Sequence, residues 1–489
     1  MRCAPLLLLA LVTAFAAPVA RSDDVPTLRL PPLDFAKLNA EDAREKFEPV
    51  AQRYAIPRAL NVSPANAGVW DVSDDGRLRW RWRVEAPDAV HLNFGFTAYR
   101  LPRSATLSIL ASDGEPQFRS FDANDNEAHG ELWTPPVFGT AATLELTVAP
   151  RERAAVELVL GQVGQGYRGF GRIAAGAKSG SCNADTMCLA AADPWSTVRR
   201  AVGAMSRGGS RFCTGSLVNN TANDRRMYFI TASHCQVTAA NAATLVAIWN
   251  FESPTCRQPG SAASGSGAVV GSTTQFNSGA VFRAATVNPF PATPSDPNPT
   301  AGGPYSDTTL VELDDPADPA HNLYWAGWDR GATPAQCSAA SPCASIHHPD
   351  GDEKRITFSH TNLVVGNIAR AANVHWFVQW ANPAPLLPNF PMPGAVPPSV
   401  TEPGSSGSPL YNASQRLVGV LSGGASICGA SNASLNDLYG QLAHAWEGLG
   451  TDATRVRPWL DPGNTGATTI GGLAPVSGVL FRSGFEDGE

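Results

Sequence analysis

Charge is scarce in this sequence, and lysine is the scarcest basic residue. Charged residues occupy 16% of the 489 positions. Among the 36 basic residues, the four lysines are Lys37, Lys46, Lys178 and Lys354. The formal net charge is −7, and an acidic protein has no general attraction for a phosphate backbone. We therefore expect no nucleic-acid partner.

Sustained apolar runs are also missing, except at the N-terminus. Residues 1–20 carry one arginine, then a short apolar core and small residues, as secretory signals do. The core is shorter than the roughly 20 apolar residues that a membrane-spanning helix needs. The sequence therefore predicts a secreted protein without membrane association, with signal cleavage between Ala16 and Ser22.

Cysteine is absent between Cys3 and Cys182. Removal of the signal would leave eight cysteines, and an even number in an exported protein predicts disulfides. The chain thus divides into a cysteine-free first part and a cross-linked second part. Because Cys337 and Cys343 lack the spacing and partners of a zinc site, we predict no metal and no cofactor.

Glycine and proline are abundant, with 45 and 40 residues, which favours a turn-rich all-β protein. In the first part, residues 21–178, we predict a short helix over residues 34–52 and a small antiparallel β domain. Alternating polar and apolar residues indicate its strands. A glycine-rich linker is predicted at 161–180. The predicted strands are Arg77–Val84, His91–Tyr99, Ala105–Ala111, Ala142–Val148 and Ala155–Leu160.

The second part, residues 179–473, combines short strands with long polar loops. Its predicted elements include strands at Cys213–Val218 and Met227–Ala232, a short helix or turn at 455–461, and loops at 253–304 and 381–403. A short tail, residues 474–489, follows.

The stretch Thr401–Leu410 concentrates glycine, serine and proline, and it presents the hydroxyl of Ser406. Glycines allow successive backbone N–H groups to point into one small space. A serine that attacks a carbonyl needs such donors for the developing oxyanion. Ser406 is therefore a candidate nucleophile, provided that the chain supplies a base and a carboxylate.

Two further motifs supply these groups. His234 follows an apolar strand and precedes Cys235, and Asp307 stands at the start of another apolar strand. The order His234, Asp307, Ser406 is that of chymotrypsin-like proteases, not of subtilisins or α/β-hydrolases. The sequence thus predicts an all-β fold with a chymotrypsin-like double β-barrel, preceded by the small antiparallel β domain.

A set of longer motifs narrows the resemblance to one family. Across residues 179–473 the chain resembles the bacterial lysyl endopeptidases. The motifs that carry this resemblance are Ser179–Asn183, Arg200–Ala204, Cys213–Arg225, Trp325–Arg330, Ile346–Pro349, Glu353–Ile356 and Thr401–Pro409.

The resemblance implies a serine endopeptidase with His234, Asp307 and Ser406 as its catalytic triad. It places the oxyanion hole at the backbone N–H groups of Gly404 and Ser406, and it offers the strand Leu417–Gly424 for pairing with an extended substrate. It also implies four disulfides, namely Cys182–Cys428, Cys188–Cys256, Cys213–Cys235 and Cys337–Cys343.

The resemblance further implies cleavage after lysine, read by Asp437 at the base of the primary pocket. Ser422, Gly423 and Gly424 are the other predicted substrate-binding residues. Ser422 stands where the family has a histidine, so tolerance of arginine is an alternative. Ser405 stands where trypsins have the aspartate that pairs with a new N-terminus, so activation must differ from theirs.

Residues 21–178 are predicted to be a propeptide, released by self-cleavage between Lys178 and Ser179. An accessory domain that stays attached is the alternative. The expected partners are protein and peptide substrates and the chain's own propeptide, and we expect a monomer. From a different class of function, the alternative is an inactive protease-fold binding protein.

Overall fold

A computed structural model describes residues 25–45, 48, 50–170, 172–173, 179–266, 271–291, 303, 305–381 and 397–475. The predicted signal, Lys178 and all of the tail beyond residue 475 lie outside these ranges. Within them, no helix combines the length and apolar character that a membrane crossing requires.

The first part of the chain is a β sandwich with one α-helix among its described residues. Its helix α1 spans Phe35–Glu45, so the predicted helix ends seven residues early and Gln52 belongs to a strand. The strands are β1 Thr27–Arg29, β2 Gln52–Arg53, β3 Ala55–Val62, β4 Val69–Val72, β5 Leu78–Glu85, β6 His91–Arg100, β7 Thr106–Ala111, β8 Leu132–Trp133, β9 Val137–Phe138, β10 Ala141–Val148, β11 Glu157–Gly166, β12 Arg168–Gly169 and β13 Arg172–Ile173.

Two five-stranded sheets face each other in this sandwich. One has the order β1-β5-β10-β7 with β4 beside β5, and the other has the order β3-β11-β6-β8 with β9 beside β6. Alternation along β5 buries Trp80, Trp82 and Val84, which share one core with Phe94 and Leu160 of the other sheet. The alternating pattern thus predicted these strands because one face of each is buried.

The predicted linker at 161–180 is wrong for its first half. Residues 161–166 complete β11, which pairs with β3 and β6. Its glycines leave room for neighbouring side chains, because a Cβ at Gly161, Gly164 or Gly166 would collide with Thr97, Asn93 or His91 respectively. Glycine here permits close packing of strands instead of flexibility.

The described residues of the second part add fifteen strands and four short α-helices. The strands are β14 Ala184–Asp185, β15 Val202–Arg207, β16 Arg211–Leu217, β17 Tyr228–Thr231, β18 Leu245–Trp249, β19 Phe276–Ser278, β20 Ala280–Ala285, β21 Thr309–Leu313, β22 Cys343–His347, β23 Arg355–Ser359, β24 Val364–Ile368, β25 Ala371–Gln379, β26 Pro409–Tyr411, β27 Leu417–Gly424 and β28 Asn436–Gln441. The helices are α2 Trp195–Val198, α3 Ala262–Ser266, α4 Leu442–Glu447 and α5 Arg457–Leu460.

These strands form two antiparallel sheets of eight strands each. The first has the order β19-β18-β15-β16-β17-β21-β20, with β2 from the first part of the chain added to β16, and the second has the order β14-β23-β22-β26-β27-β28-β25-β24. Both sheets curl around apolar cores, so the predicted all-β, chymotrypsin-like fold is confirmed. The loop predicted at 253–304 is partly wrong, since it contains β19 and β20.

Four disulfides tie the second part together, and they are the same four pairs that the resemblance implies. They are Cys182–Cys428, Cys188–Cys256, Cys213–Cys235 and Cys337–Cys343. The first closes a sequence separation of 246 residues. A cross-link over so long a loop lowers the conformational entropy of the unfolded chain. On the chain-entropy model, this stabilises the folded protein by about 4 kcal/mol or more.

Candidate active site

The loop that carries Ser406 is a tight turn held by its own backbone. Gly404 and Gly407 have φ angles of 90° and 80°, which favour glycine. Ser405 donates to the carbonyl of Glu402 at 3.0 Å, and Ser408 donates to that of Ser405 at 2.9 Å. The turn therefore holds Ser406 at its apex, where its side chain is half-buried and open to a reactant.

The two N–H groups predicted to form the oxyanion hole are not used by the loop. Within the described ranges, neither Gly404 nor Ser406 donates its N–H to another residue, whereas Gly407 donates to Leu421 at 2.9 Å. Two free donors beside a hydroxyl can bind the negative oxygen of a tetrahedral intermediate.

His234 is held in place just beyond the end of a strand of the first sheet. It lies in the short 3₁₀ turn Ser233–Cys235 that follows β17, and the Cys213–Cys235 disulfide anchors this turn to β16. Its imidazole is 1% exposed and lies edge-on to the ring of Phe290, with ring centroids 5.7 Å apart.

Asp307 holds both the backbone and the ring of His234. Its Oδ1 accepts from the His234 N–H at 2.9 Å, and its Oδ2 lies 2.7 Å from Nδ1. Asp307 is fully buried and has a φ of 50°, a left-handed conformation that aspartate adopts more readily than most residues. A carboxylate at Nδ1 fixes the tautomer that leaves Nε2 as a base.

The nucleophile loop packs directly on the histidine turn. The carbonyl of Ser406 accepts from Thr214 of β16 at 2.8 Å, and it lies 3.8 Å from Sγ of Cys235. A Cβ at Gly407 would collide with Thr231, the last residue of β17. In the described residues no hydrogen bond joins His234 to Ser406, and such bonds are often long before a substrate is bound.

Asp437 is deeply buried next to the nucleophile loop. Its Oδ2 accepts from three side chains, at 2.7 Å from Thr401, 2.6 Å from Ser426 and 2.5 Å from Trp380. Asp437 is 1% exposed, and it lies opposite Gly424 in the pairing of β27 with β28. Burial raises the pKa of this carboxyl, and the three donors oppose the shift. A carboxylate held in this way can attract a cation.

The other predicted substrate-binding residues lie on β27. Ser422 is buried and bonded through Oγ to Nε2 of His375 at 2.9 Å, and Gly423 and Gly424 follow it. Burial lowers the pKa of His375 to about 4, so its imidazole is neutral near pH 7. The sequence analysis missed this pairing because the two residues are 47 positions apart.

Ser405 makes a neutral contact at the position where trypsins have an aspartate. Its Oγ lies 2.8 Å from Nδ1 of His347, which is fully buried at the end of β22. Burial lowers the pKa of His347 to about 3, so this histidine stays uncharged. No charge at Ser405 is thus available to bind a new N-terminal ammonium.

Sequence analysis also missed two aromatic residues of the site. Trp380 donates to Asp437, and Phe290 covers one edge of His234. Trp380 directly follows β25 and continues the alternate buried positions Trp376 and Val378 at the end of that strand, which was a usable signal. Phe290 lies in an irregular segment, for which periodicity offers no signal.

Comparisons with known proteins assign this chain to a family. Residues 176–440 match the family model described as lysyl endopeptidase, C-terminal domain, which covers more than half of the chain. A lysyl endopeptidase from Pseudomonas aeruginosa is 28% identical over 399 residues, which are 76% of this chain and 75% of the relative.

Two solved structures show a weaker likeness. Rv3671c from M. tuberculosis matches with 11% identity and a TM-score of 0.27, over 54% of this chain and 95% of its own. Kallikrein-related peptidase 10 matches with 15% identity and a TM-score of 0.28, over 50% of this chain and 90% of its own. At these scores neither likeness carries an argument about this chain.

The family match spans the histidine turn, the Asp307 segment and the Ser406 loop, which the fold brings to one place between the two sheets. The chain belongs to the lysyl endopeptidase family, and it is a serine endopeptidase.

Proposed function

We propose that this protein is a secreted endopeptidase that cleaves after basic residues, lysine above all, through an acyl-enzyme on Ser406. The observation that carries this proposal is the double contact of Asp307 with the backbone and ring of His234, beside the Ser406 loop. Secretion is supported by the four disulfides, which persist in oxidising compartments.

The proposed mechanism gives each of these groups a distinct role. Ser406 Oγ attacks the scissile carbonyl while His234 Nε2 accepts its proton and then passes it to the leaving amine. Asp307 orients the ring and stabilises the imidazolium. The N–H groups of Gly404 and Ser406 bind the oxyanion. Water then repeats the sequence and releases the acyl product.

Lysine preference rests on Asp437. The long lysine side chain ends in a compact ammonium, which suits a pocket closed by a single buried carboxylate. Because Trp380, Thr401 and Ser426 all bond to the same oxygen, the carboxylate is fixed in place before substrate arrives. The planar guanidinium of arginine would need a wider set of acceptors, so we expect cleavage after arginine to be slower than cleavage after lysine.

Replacing Asp437 with asparagine is expected to lower kcat/KM for a lysyl peptide amide by about 10³-fold, because the substrate ammonium would lose its buried partner. The asparagine keeps an acceptor oxygen for the three donors. The measurement is steady-state hydrolysis of matched lysyl, arginyl and norleucyl amides.

The norleucyl amide is the control, since it has lysine's four-carbon side chain without the ammonium group. Its kcat/KM should change little in Asp437→Asn. An equal loss on all three amides would assign Asp437 to folding of the loop instead of to specificity. A larger parental rate on the arginyl amide than on the lysyl amide would reverse the proposed preference.

We further propose that residues 21–178 are a propeptide and that self-cleavage after Lys178 releases the enzyme. In support, the first residues of the second part are already hydrogen-bonded to later residues of that part. Ser179 is buried and its Oγ donates to Asp352 at 2.6 Å, and the N–H of Gly180 donates to Glu402 at 2.8 Å. The mature enzyme is proposed to be a monomer.

N-terminal sequencing of the secreted protein should therefore begin at Ser179. Catalytically dead Ser406→Ala protein, incubated alone, should keep residues 21–178 attached. A wild-type N-terminus elsewhere would refute Lys178 as the site, and a mature form that retains the first part would favour an attached accessory domain.

The proposed function itself is tested by mass mapping of a digest of a denatured, unrelated protein. The expected peptides end in lysine. Labelling with a fluorophosphonate should at the same time mark the peptide that contains Ser406. An unlabelled, folded protein that yields no digest would support the inactive binding protein instead.

A further inference from the structure

A short strand of the first part completes a sheet of the second. Strand β2, Gln52–Arg53, pairs antiparallel with the start of β16, so that Gln52 faces Phe212 and Arg53 faces Arg211. The next residue of β16 is Cys213, whose disulfide holds the histidine turn. The added strand thus pairs with the start of β16, beyond the residues of β16 that pair with β17 and next to the cysteine that anchors the histidine turn.

The side chain of Gln52 reaches the nucleophile loop. Its Nε2 donates to Asp350 at 2.8 Å, and Asp350 in turn donates its N–H to the carbonyl of Pro403 at 2.6 Å. Its Oε1 is 2.8 Å from the place that a Cβ on Gly404 would occupy. Gln52 therefore touches the loop that carries the oxyanion donors.

The segment around β2 runs away from the catalytic residues. Ala51 is 2% exposed and packs in the apolar cluster that contains Cys213 and Cys235. Two residues after Gln52, Tyr54 donates its N–H to Ser210 at 3.0 Å and its hydroxyl lies 2.6 Å from Ser206. The chain thus starts beside the disulfide and the nucleophile loop and leaves along β16.

An extended peptide that binds a protease follows a similar course on the side of its leaving group. Residues after the scissile bond begin at the nucleophile and run outward, and an exposed strand edge binds them through main-chain hydrogen bonds. Here that edge is already occupied. Because one edge can pair with only one strand, substrate and β2 exclude each other.

We propose that the segment Ala51–Tyr54 occupies the binding surface for substrate residues after the scissile bond, and that the first part of the chain thereby inhibits the enzyme. This inference rests on the proposed function. The proposed occupant is the chain's own segment, and the proposed surface is the Arg211–Phe212 edge of β16 together with Gly404 and Asp350.

Contacts between the two parts of the chain, at this edge and away from it, keep the strand in place. The sandwich and the second part share one apolar core, in which Phe170 packs against Phe212 and Phe251. Polar contacts surround this core. They include Glu45 with Arg211, Asn93 with Gly209, His129 with Asp314, Trp133 with Ser278, and Gln162 with Gly208. An inhibitor anchored in this way needs only a short strand at the cleft.

The test uses the full chain carrying Lys178→Ala, isolated with both parts joined as checked by mass. Its substrate is a quenched fluorescent peptide that continues four residues past a lysine. Adding Gln52→Ala should speed cleavage of this peptide about tenfold, because one amide contact at the cleft is lost. Adding Gln52→Pro, which also removes a backbone donor, should speed it further.

Gln162→Ala is the matched control, since it removes a glutamine amide from the same interface at Gly208, outside the cleft. It should leave the rate unchanged. Fluorophosphonate labelling of Ser406 should be similar in all variants. Labelled variants that cleave the peptide at one common rate would overturn the inference, whereas failure to label any of them would overturn the proposed function instead.

Discussion

Replacing Ser406 with alanine should lower kcat by about 10⁶-fold, since alanine cannot form the acyl-enzyme and the remaining groups act only as a unit with the nucleophile. The loop is held by backbone bonds from Ser405 and Ser408 and by the Thr214 contact with the carbonyl of residue 406. None of these uses the Ser406 hydroxyl. The variant should therefore fold normally and lose chemistry alone. The measurement is turnover of a lysyl amide at saturation.

Ser414→Ala is a suitable control, because Ser414 is an exposed serine in the turn after β26. It should keep both full turnover and the parental melting temperature. If Ser406→Ala retained more than a small fraction of the activity, a second nucleophile would have to exist. If it lost its melting transition, the result would report on folding and not on catalysis.

The parts of this site that sequence could predict are local ones. His234, Asp307 and Ser406 each lie at a strand end or in a short motif, and local patterns mark such places well. Their order along the chain then predicts a fold that brings strand ends together. The structure indeed places the His234 turn, Asp307 and the Ser406 loop side by side.

The parts that sequence could not predict depend on distant neighbours. Residues 161–166 have the composition of a linker, yet they form a strand because Thr97, Asn93 and His91 lie across their glycines. Similarly, Trp380 reaches Asp437 across 57 positions. In both cases the partner, and not the local sequence, decides the conformation.

Strand β2 depends on a distant partner more than any of these. Two residues with no apolar alternation carry no strand signal, and Gln52 and Arg53 form a strand only because β16 offers an open edge. The sequence analysis placed Gln52 at the end of a helix. The relation between the two parts of the chain therefore had to come from the structure, and with it the inference about inhibition.

Asp307→Asn is expected to lower kcat by about 10⁴-fold while the fold is retained. An asparagine can still accept from the His234 backbone N–H. Its amide donor, however, would face Nδ1 and favour the tautomer with the proton on Nε2. That tautomer has no lone pair for the Ser406 proton, and the imidazolium would lose its carboxylate partner.

The pH profile separates this effect from a simple loss of position. Hydroxide can take over part of the base's role at high pH, so the activity of Asp307→Asn relative to the parent should recover as the pH rises. Asp329→Asn is the matched control, since the hydrogen bonds described for the Asp329 carboxylate come from Gly331 and Asn412 and from no member of the triad. It should keep the parental rate and profile. A uniform loss at every pH in Asp307→Asn would instead mean that the carboxylate only holds the His234 turn in place through its backbone bond.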